Sequence, residues 1–334
     1  MRTALVTGAT GQVGHHVIQR LRRDGWEVRA LVRDAARAGA LSRAGVTLAT
    51  GDVLEPTGLA RAARGCDVVF HAAAVITPRG GWEAFRRPNI EGTRNVVAAA
   101  ALAGARLVHV SSVAVYGAAE RYAHGPGAVD EDTPFAPLAA DAHYARSKRE
   151  SEALVMEAHA AGRLWGTAMR PVVVYGTHDR QFVPRLARLL SHGVAPLVRG
   201  GRATMSVVHA ANVADGMVRA ASVDAAGGRA YNLANDFDVT VARFMSLAAE
   251  GMGVRLRRIP VPWLAARAVV GLVTLAAPLF SATELRSSLA ASLDFIARDN
   301  PFTSERARRE LGWDPQVRPE TGVPEAFRWW MQHR

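Results

Sequence analysis

The chain has 334 residues, a length that suits one α/β domain carrying a smaller lobe and buries ample core without disulfides or metals. Its one cysteine, Cys66, excludes an intramolecular disulfide and fits a reducing compartment. The formal charge is +11, but no run of five or six basic residues occurs and the densest clusters lie at 20–23 and 255–258, so no nucleic-acid partner is expected.

Residues 1–8 carry no apolar signal-peptide core and no small-residue cleavage site, so a cytoplasmic protein is expected. Residues 3–7 form a short apolar run that meets glycines at once, as a buried parallel strand does. Over 13–23, Val13, Val17, Ile18 and Leu21 share a helical face, and Gly25 ends the helix. The cycle then repeats. Strands are predicted at 28–32, 46–49, 68–72, 107–111 and 167–174, with helices at 59–63, 96–103 and, after a long polar loop, 144–160. This alternation predicts a doubly wound parallel (Rossmann) α/β sheet. The pattern becomes irregular from Gly176, so a dinucleotide-binding domain is placed at 1–176 and a smaller α/β substrate lobe at 177–334. Short strands at 206–209 and 230–233 suggest that part of 206–235 returns to the main sheet.

The stretch 259–280 is apolar apart from Arg267. Its uncharged part, 268–283, is shorter than the roughly 20 residues a spanning helix needs, and it contains Pro278. A core helix is the first reading, the wall of an apolar pocket the second, and a peripheral membrane contact the third.

The glycines Gly8, Gly11 and Gly14, with Thr10, Gln12 and Val13 between them, separate the first strand from the first helix. Glycine permits the tight turn and the close approach of backbone amides to a pyrophosphate, and the helix N-terminus adds its positive end. At the end of the second strand, the position that would hold an acidic ribose ligand is Val32, and Arg33 follows. An arginine there pairs with a 2′-phosphate, so NADP(H) is favoured, with NAD(H) as the alternative that Asp34 would serve. Asp52 and Val53 end the third strand, where a carboxylate can accept from the adenine amino group. Ala72, Ala73 and Ala74 end the fourth strand with side chains small enough for a cofactor to lie against the backbone. His71 beside them reads as a packed residue rather than a base.

Tyr144 and Lys148 stand at i and i+4 on one helix face, and Lys148 is the only lysine among 41 basic residues. An ammonium beside a phenol stabilises phenolate and tunes tyrosine for proton exchange with a substrate oxygen. Ser111 and Ser112 follow the fifth strand, where a hydroxyl can donate to a substrate carbonyl as charge develops.

Together the segments 8–14, 51–52, 71–74, 89–93, 112–117, 144–148 and 170–172 resemble the extended short-chain dehydrogenase/reductases, and 208–215, 231–233 and 308–315 extend the resemblance over nearly the whole chain. The resemblance implies Ser112 as substrate-carbonyl donor, Tyr144 as acid–base, and Lys148 as ribose ligand and tyrosine tuner. It implies Asn89 as the residue that orders the central helix and a relay water, although Pro88 should kink a helix there. It places Ser111, Pro171 and Val173 beside the cofactor and suggests a homodimer through helices near 84–103 and 144–160. Segments 82–93, 181–184 and 259–280 look most like the 3β-hydroxysteroid dehydrogenase and ketoreductase branch. The expected reaction is hydride exchange with an apolar ketone or alcohol. The alternative is a sugar-nucleotide epimerase or dehydratase holding NAD, with Arg185, Arg202 and Arg219 available for a diphosphate. A non-catalytic NADP sensor ranks last.

Overall fold

The computed structural model describes residues 2–77, 80–117, 129–234, 237–276 and 295–334. Seven parallel strands form the main sheet in the order β10-β6-β5-β4-β1-β2-β3. They are β1 (Thr3–Thr7), β2 (Glu27–Val32), β3 (Thr47–Thr50), β4 (Val68–His71), β5 (Arg106–Val110), β6 (Gly166–Pro171) and β10 (Ala230–Leu233). The strand order reverses between β1 and β4, so their C-terminal ends open a crevice. Alternate residues feed opposite layers. Leu5, Leu31, Val69 and Leu107 pack with Leu59 and Ala62 of α3 (Pro56–Ala63), Val96 of α5 (Gly92–Ala103) and Val155 of α6 (His143–Ala160). Ala4, Val6, Ala30 and Phe70 pack with Val17 and Leu21 of α1 (Gln12–Arg23) and Met217 of α8 (Ala210–Ser222). The predicted doubly wound sheet is therefore present.

Two predicted elements divide differently. The strand expected over 167–174 is split: β6 stops at Pro171, and β7 (Val173–Tyr175) leaves the main sheet to pair with β9 (Val207–His209). Proline has no amide to continue a ladder. The helix around Pro88 is not broken. It widens: α4 (Gly81–Phe85) runs through a π-helical turn, Arg86–Glu91, into α5. A π turn relocates the hydrogen-bond ladder and accommodates a residue that cannot donate to it.

A second core around Phe244, Tyr175 and Phe327 is built by α7 (Phe182–Leu190), β8 (Val194–Val198), α9 (Val241–Met252) and α12 (Pro319–His333). β11 (Arg257–Val261) pairs with β8 and leads into α10 (Trp263–Ala276), and α11 (Glu305–Leu311) packs on the first core through Ala307 and Leu311. The short α2 (Gly39–Arg43) follows β2. Of the apolar stretch 259–280, residues 277–280 lie outside the described residues. Among the side chains described there, 259–268 and Gly271, none is buried. Pro260, Ala265, Ala268 and Gly271 are exposed, Ile259 is 41% exposed, and Leu264 is 78% exposed.

Candidate active site

The glycine loop forms a cradle that no side chain could enter. Gly8 turns with φ +69°, and a Cβ there would lie 2.6 Å from the Ala72 carbonyl carbon and the Ala73 nitrogen. A Cβ on Gly14 would lie 2.3 Å from the Gly8 carbonyl oxygen, so α1 begins directly against the loop. The Gly11 amide closes the turn onto the Gly8 carbonyl at 2.9 Å. No side chain caps the start of α1, and no acidic residue occupies its first turn. The Gln12 Nε2 amide is buried without a hydrogen-bond partner among the described residues. A backbone cradle, an uncapped helix start and an unsatisfied buried donor fit the pyrophosphate of a dinucleotide. Val13 packs beneath this loop, Thr10 is exposed above it, and Arg180 Nη2 approaches the Thr10 carbonyl at 3.3 Å.

Around the crevice, Arg33 is exposed at the end of β2. The Asp34 carboxylate does not neutralise it. It accepts from the Ala36 amide at 2.9 Å and pairs with Arg37 at 3.3 Å. Asp52 is half-buried and accepts from the Leu54 amide at 3.0 Å. Val53 packs on Gly92, and its carbonyl accepts from Asn95 at 2.9 Å. Ala72 and Ala73 are half-buried, and Ala74 is exposed. Pro171 is buried at the end of β6, with half-buried Val173 beyond it.

Just past β5, Ser112 caps the following turn by accepting from the Ala114 amide at 3.2 Å. Tyr144 lies in the first turn of α6 and is half-buried. Burial pushes its phenol above the ordinary value, with the Ser112 hydroxyl opposing. Lys148 lies one turn on, 3% exposed, and its Nζ donates to the Val110 carbonyl at 2.8 Å. Burial lowers this ammonium to about 8, with Glu152 opposing. The expected shift of Tyr144 toward neutrality is therefore corrected: burial sets its phenol above the ordinary value.

Asn89 projects from the π turn and is 1% exposed. Its Oδ1 accepts from the Val75 amide at 2.8 Å, while its Nδ2 donates to the Val75 carbonyl and to Ser147 Oγ, each at 2.9 Å. It ties the loop after β4 to the helix bearing Tyr144. His71 is buried between Thr7 Oγ1 at 2.7 Å and Thr93 Oγ1 at 2.9 Å. Burial first and Lys148 second lower it to about 3, so it is a neutral packed residue.

The sequence reading missed the network behind the site. The Ser111 hydroxyl donates to Glu152 and so points into the core. Arg170 grips Glu152 and donates to the Tyr116 hydroxyl at 2.8 Å, and Tyr116 donates to Asn232 at 2.9 Å. Burial pushes the Tyr116 phenol up to about 12. One signal was available: Glu152 follows Lys148 by four residues, as Lys148 follows Tyr144. Arg219, expected as a diphosphate ligand, is elsewhere. It pairs with Asp215 at 2.7 Å and lines a groove with Arg2, Arg20 and Trp26, beside the N-terminal ends of β1 and β2.

The NAD dependent epimerase/dehydratase family model matches residues 4–234. The chain is 32% identical to 4-hydroxy-2-methyl-3-oxo-4-farnesyl-3,4-dihydroquinoline-1-oxide ketoreductase of Stigmatella aurantiaca, over 97% of this chain and 95% of that one. It is 30% identical to 2-alkyl-3-oxoalkanoate reductase of Shewanella oneidensis, over 96% and 84%. Among solved structures, UDP-glucuronic acid 4-epimerase from Bacillus cereus in complex with NAD shares the fold, with a TM-score of 0.74 at 18% identity over 99% of both chains. The favoured NADP(H) is corrected by these comparisons. The matched structures whose names give a nicotinamide cofactor hold NAD. An acidic side chain also remains at the end of β2, in Asp34.

Proposed function

The chain belongs to the NAD dependent epimerase/dehydratase family, and from that premise we propose that it exchanges hydride between NAD(H) and a secondary alcohol or ketone carbon of a small organic substrate, with Tyr144 as acid–base. The observation that carries the reading is the placement of Tyr144 one helical turn before buried Lys148, which is anchored on the Val110 carbonyl, with Ser112 just past β5, at the strand ends beside the glycine cradle. Gly8, Gly11, Gly14 and Gln12 would hold the cofactor's pyrophosphate, and Asp52 its adenine end. NAD(H), when bound, supplies or accepts the hydride.

The protein's own groups handle the proton. In the reducing direction the Ser112 hydroxyl donates to the substrate carbonyl and positions it. Tyr144 then gives its proton to that oxygen as negative charge grows there, and the Lys148 ammonium stabilises the phenolate that remains. In the oxidising direction the same proton returns to Tyr144. The high phenol pKa keeps Tyr144 protonated and ready to act as the acid. Asn89 fixes the helix that carries Tyr144 and Lys148.

Two substrate classes stand at this level. The family model and the NAD-holding solved relatives support a sugar nucleotide at least as well as a ketone. The two curated relatives above are ketone reductases by name, which supports an apolar 3-oxo substrate. The test uses NADH deuterated at the transferred position, UDP-sugars and long-chain 3-oxo esters, with Tyr144→Phe as control. Deuterium in a reduced ester, absent with the variant, assigns a ketoreductase. Epimerised sugar without net cofactor turnover assigns the sugar-nucleotide class. No transfer to any substrate sinks the hydride reading. The same proposal includes a homodimer through α5 and α6, where Leu102 is 80% exposed, and light scattering tests it.

A further inference from the structure

The positive charge is unevenly distributed. Residues 180–214 hold five arginines and no carboxylate, and residues 251–283 hold four arginines and no carboxylate. The two stretches meet in space. β11 pairs in parallel with β8, and the Arg199 guanidinium lies 4.9 Å from the Trp263 ring at the start of α10. Residues 257–260 of β11 are all exposed, whereas the central strands of the main sheet are buried. α10 follows with exposed Leu264, Ala265, Arg267 and Ala268, and Arg267 is its only charged residue. Arg258 is engaged, donating to Ser246 at 2.7 Å. Arg199, Arg257 and Arg267 have no carboxylate partner among the described residues.

We propose that β11 and the first turns of α10 form a docking surface for an anionic lipid bilayer. The uncharged run 268–283 is 16 residues, shorter than the roughly 20 that a spanning helix needs, and it contains Pro278, so this segment would lie in the interface rather than cross it. No helix among the described residues is long and apolar enough to cross a membrane. Arg267 follows Trp263 by four residues and Leu264 by three, within one helical turn of both. Its long stem can lie along the apolar surface while the guanidinium stays at headgroup level. The Arg199–Trp263 contact sets a second cation beside an amphipathic ring, the pairing suited to the same depth. Charge complementarity selects an anionic surface. The exposed apolar side chains select a bilayer over RNA, which would engage the arginines and leave Leu264 idle. The proposal does not depend on the hydride reading.

The test is sedimentation of the full-length protein with vesicles of phosphatidylcholine alone or of equimolar phosphatidylcholine and phosphatidylglycerol. Binding is expected to the anionic vesicles and to weaken with salt. Arg257→Gln and Arg267→Gln should each weaken it roughly fivefold. Leu264→Asp should weaken it more than tenfold. All three variants should melt with the parent, since these side chains are exposed. Equal or absent binding to both vesicles overturns the proposal. So does anionic binding that Leu264→Asp leaves intact, which would mark a purely electrostatic surface of the nucleic-acid kind. A dimer dissolved by Leu264→Asp, with no vesicle binding by the parent, would assign the face to a second copy and also overturn it.

Discussion

Arg170 binds Glu152 as a fork beneath the catalytic helix. Its Nε lies 3.1 Å from both carboxylate oxygens and its Nη2 2.5 Å from Oε1, with the two side chains 7% and 6% exposed. Glu152 stands one helical turn past Lys148 and holds that ammonium up against the pull of burial. The charged and titratable groups that interact with Lys148 are Glu152 on its own helix, His71 on β4 and His109 on β5. Removing the Glu152 charge leaves Arg170 buried and unpaired. Glu152→Gln should therefore cost about 3–5 kcal/mol in urea unfolding. Arg170→Met should cost a similar amount, and the double variant less than the sum of the two. Additive losses would show that the pair is not coupled.

Lys148 makes stability depend on pH with a definite sign. Its folded value is lowered from 10.5 to about 8, so between those values the unfolded chain binds more protons than the fold. Stability from this group rises as pH climbs from about 8 to 10.5, because the cost of burying an ammonium is relieved. Ketone reduction should move the opposite way and fall as pH rises through about 8, because the ammonium that stabilises phenolate is lost. Unfolding midpoints and kcat/KM measured across this range, against Lys148→Met, check both slopes. A variant that keeps the parent's stability slope removes Lys148 as its source. Glu152→Gln should shift the activity limb to lower pH, since Glu152 is the group holding Lys148 up.

The glycine cradle predicts a selective loss. Gly14→Ala places a methyl 2.3 Å from the Gly8 carbonyl oxygen, and backbone rather than a flexible side chain would have to move. NADH affinity should drop at least tenfold, read by nucleotide fluorescence. Gly25→Ala is the control. Gly25 has positive φ, unlike Gly14, but a Cβ there meets nothing within 4 Å, so the variant should lose some stability and leave NADH affinity unchanged.

What the sequence revealed follows from how local each signal is. β1 and β4 are buried and read as short apolar runs that end at polar residues or glycines, so the parallel sheet was visible. Tyr144 and Lys148 share a helix, so their spacing was sufficient. The Arg170–Glu152–Tyr116 network joins residues 18 and 54 positions apart, and no local period reports it. Arg33 suggested a 2′-phosphate ligand, and the NAD held by the matched structures, rather than anything local in the sequence, overturned that reading. Hydropathy marked 259–280 as apolar, but it could not say that the described part of that stretch would be exposed. Arg185, Arg202 and Arg219 looked equivalent, yet Arg219 lies with Asp215 beside the other edge of the sheet. Pro88 predicted a break because proline was weighed against an α-helix, and the π turn escapes that conflict.

That π turn bears on the last prediction. It presents Asn89, whose three hydrogen bonds reach Val75 on the loop after β4 and Ser147 on the catalytic helix. Asn89→Asp keeps the acceptor for the Val75 amide but loses both donations, leaving the Val75 carbonyl and Ser147 without this partner. Asn89→Ala loses all three. Each unsatisfied buried group should cost about 1–3 kcal/mol, so Ala should unfold more easily than Asp if the Val75 amide is the dominant partner. If a buried carboxylate is the greater burden, the order reverses. Turnover should fall in both, because Ser147 also donates to the Tyr144 carbonyl at 2.8 Å and loses its alignment. NADH affinity should change little, since the glycine cradle makes no hydrogen bond to Asn89. A variant with normal kcat and weakened NADH binding would place Asn89 with the cofactor rather than with the helix that holds Tyr144.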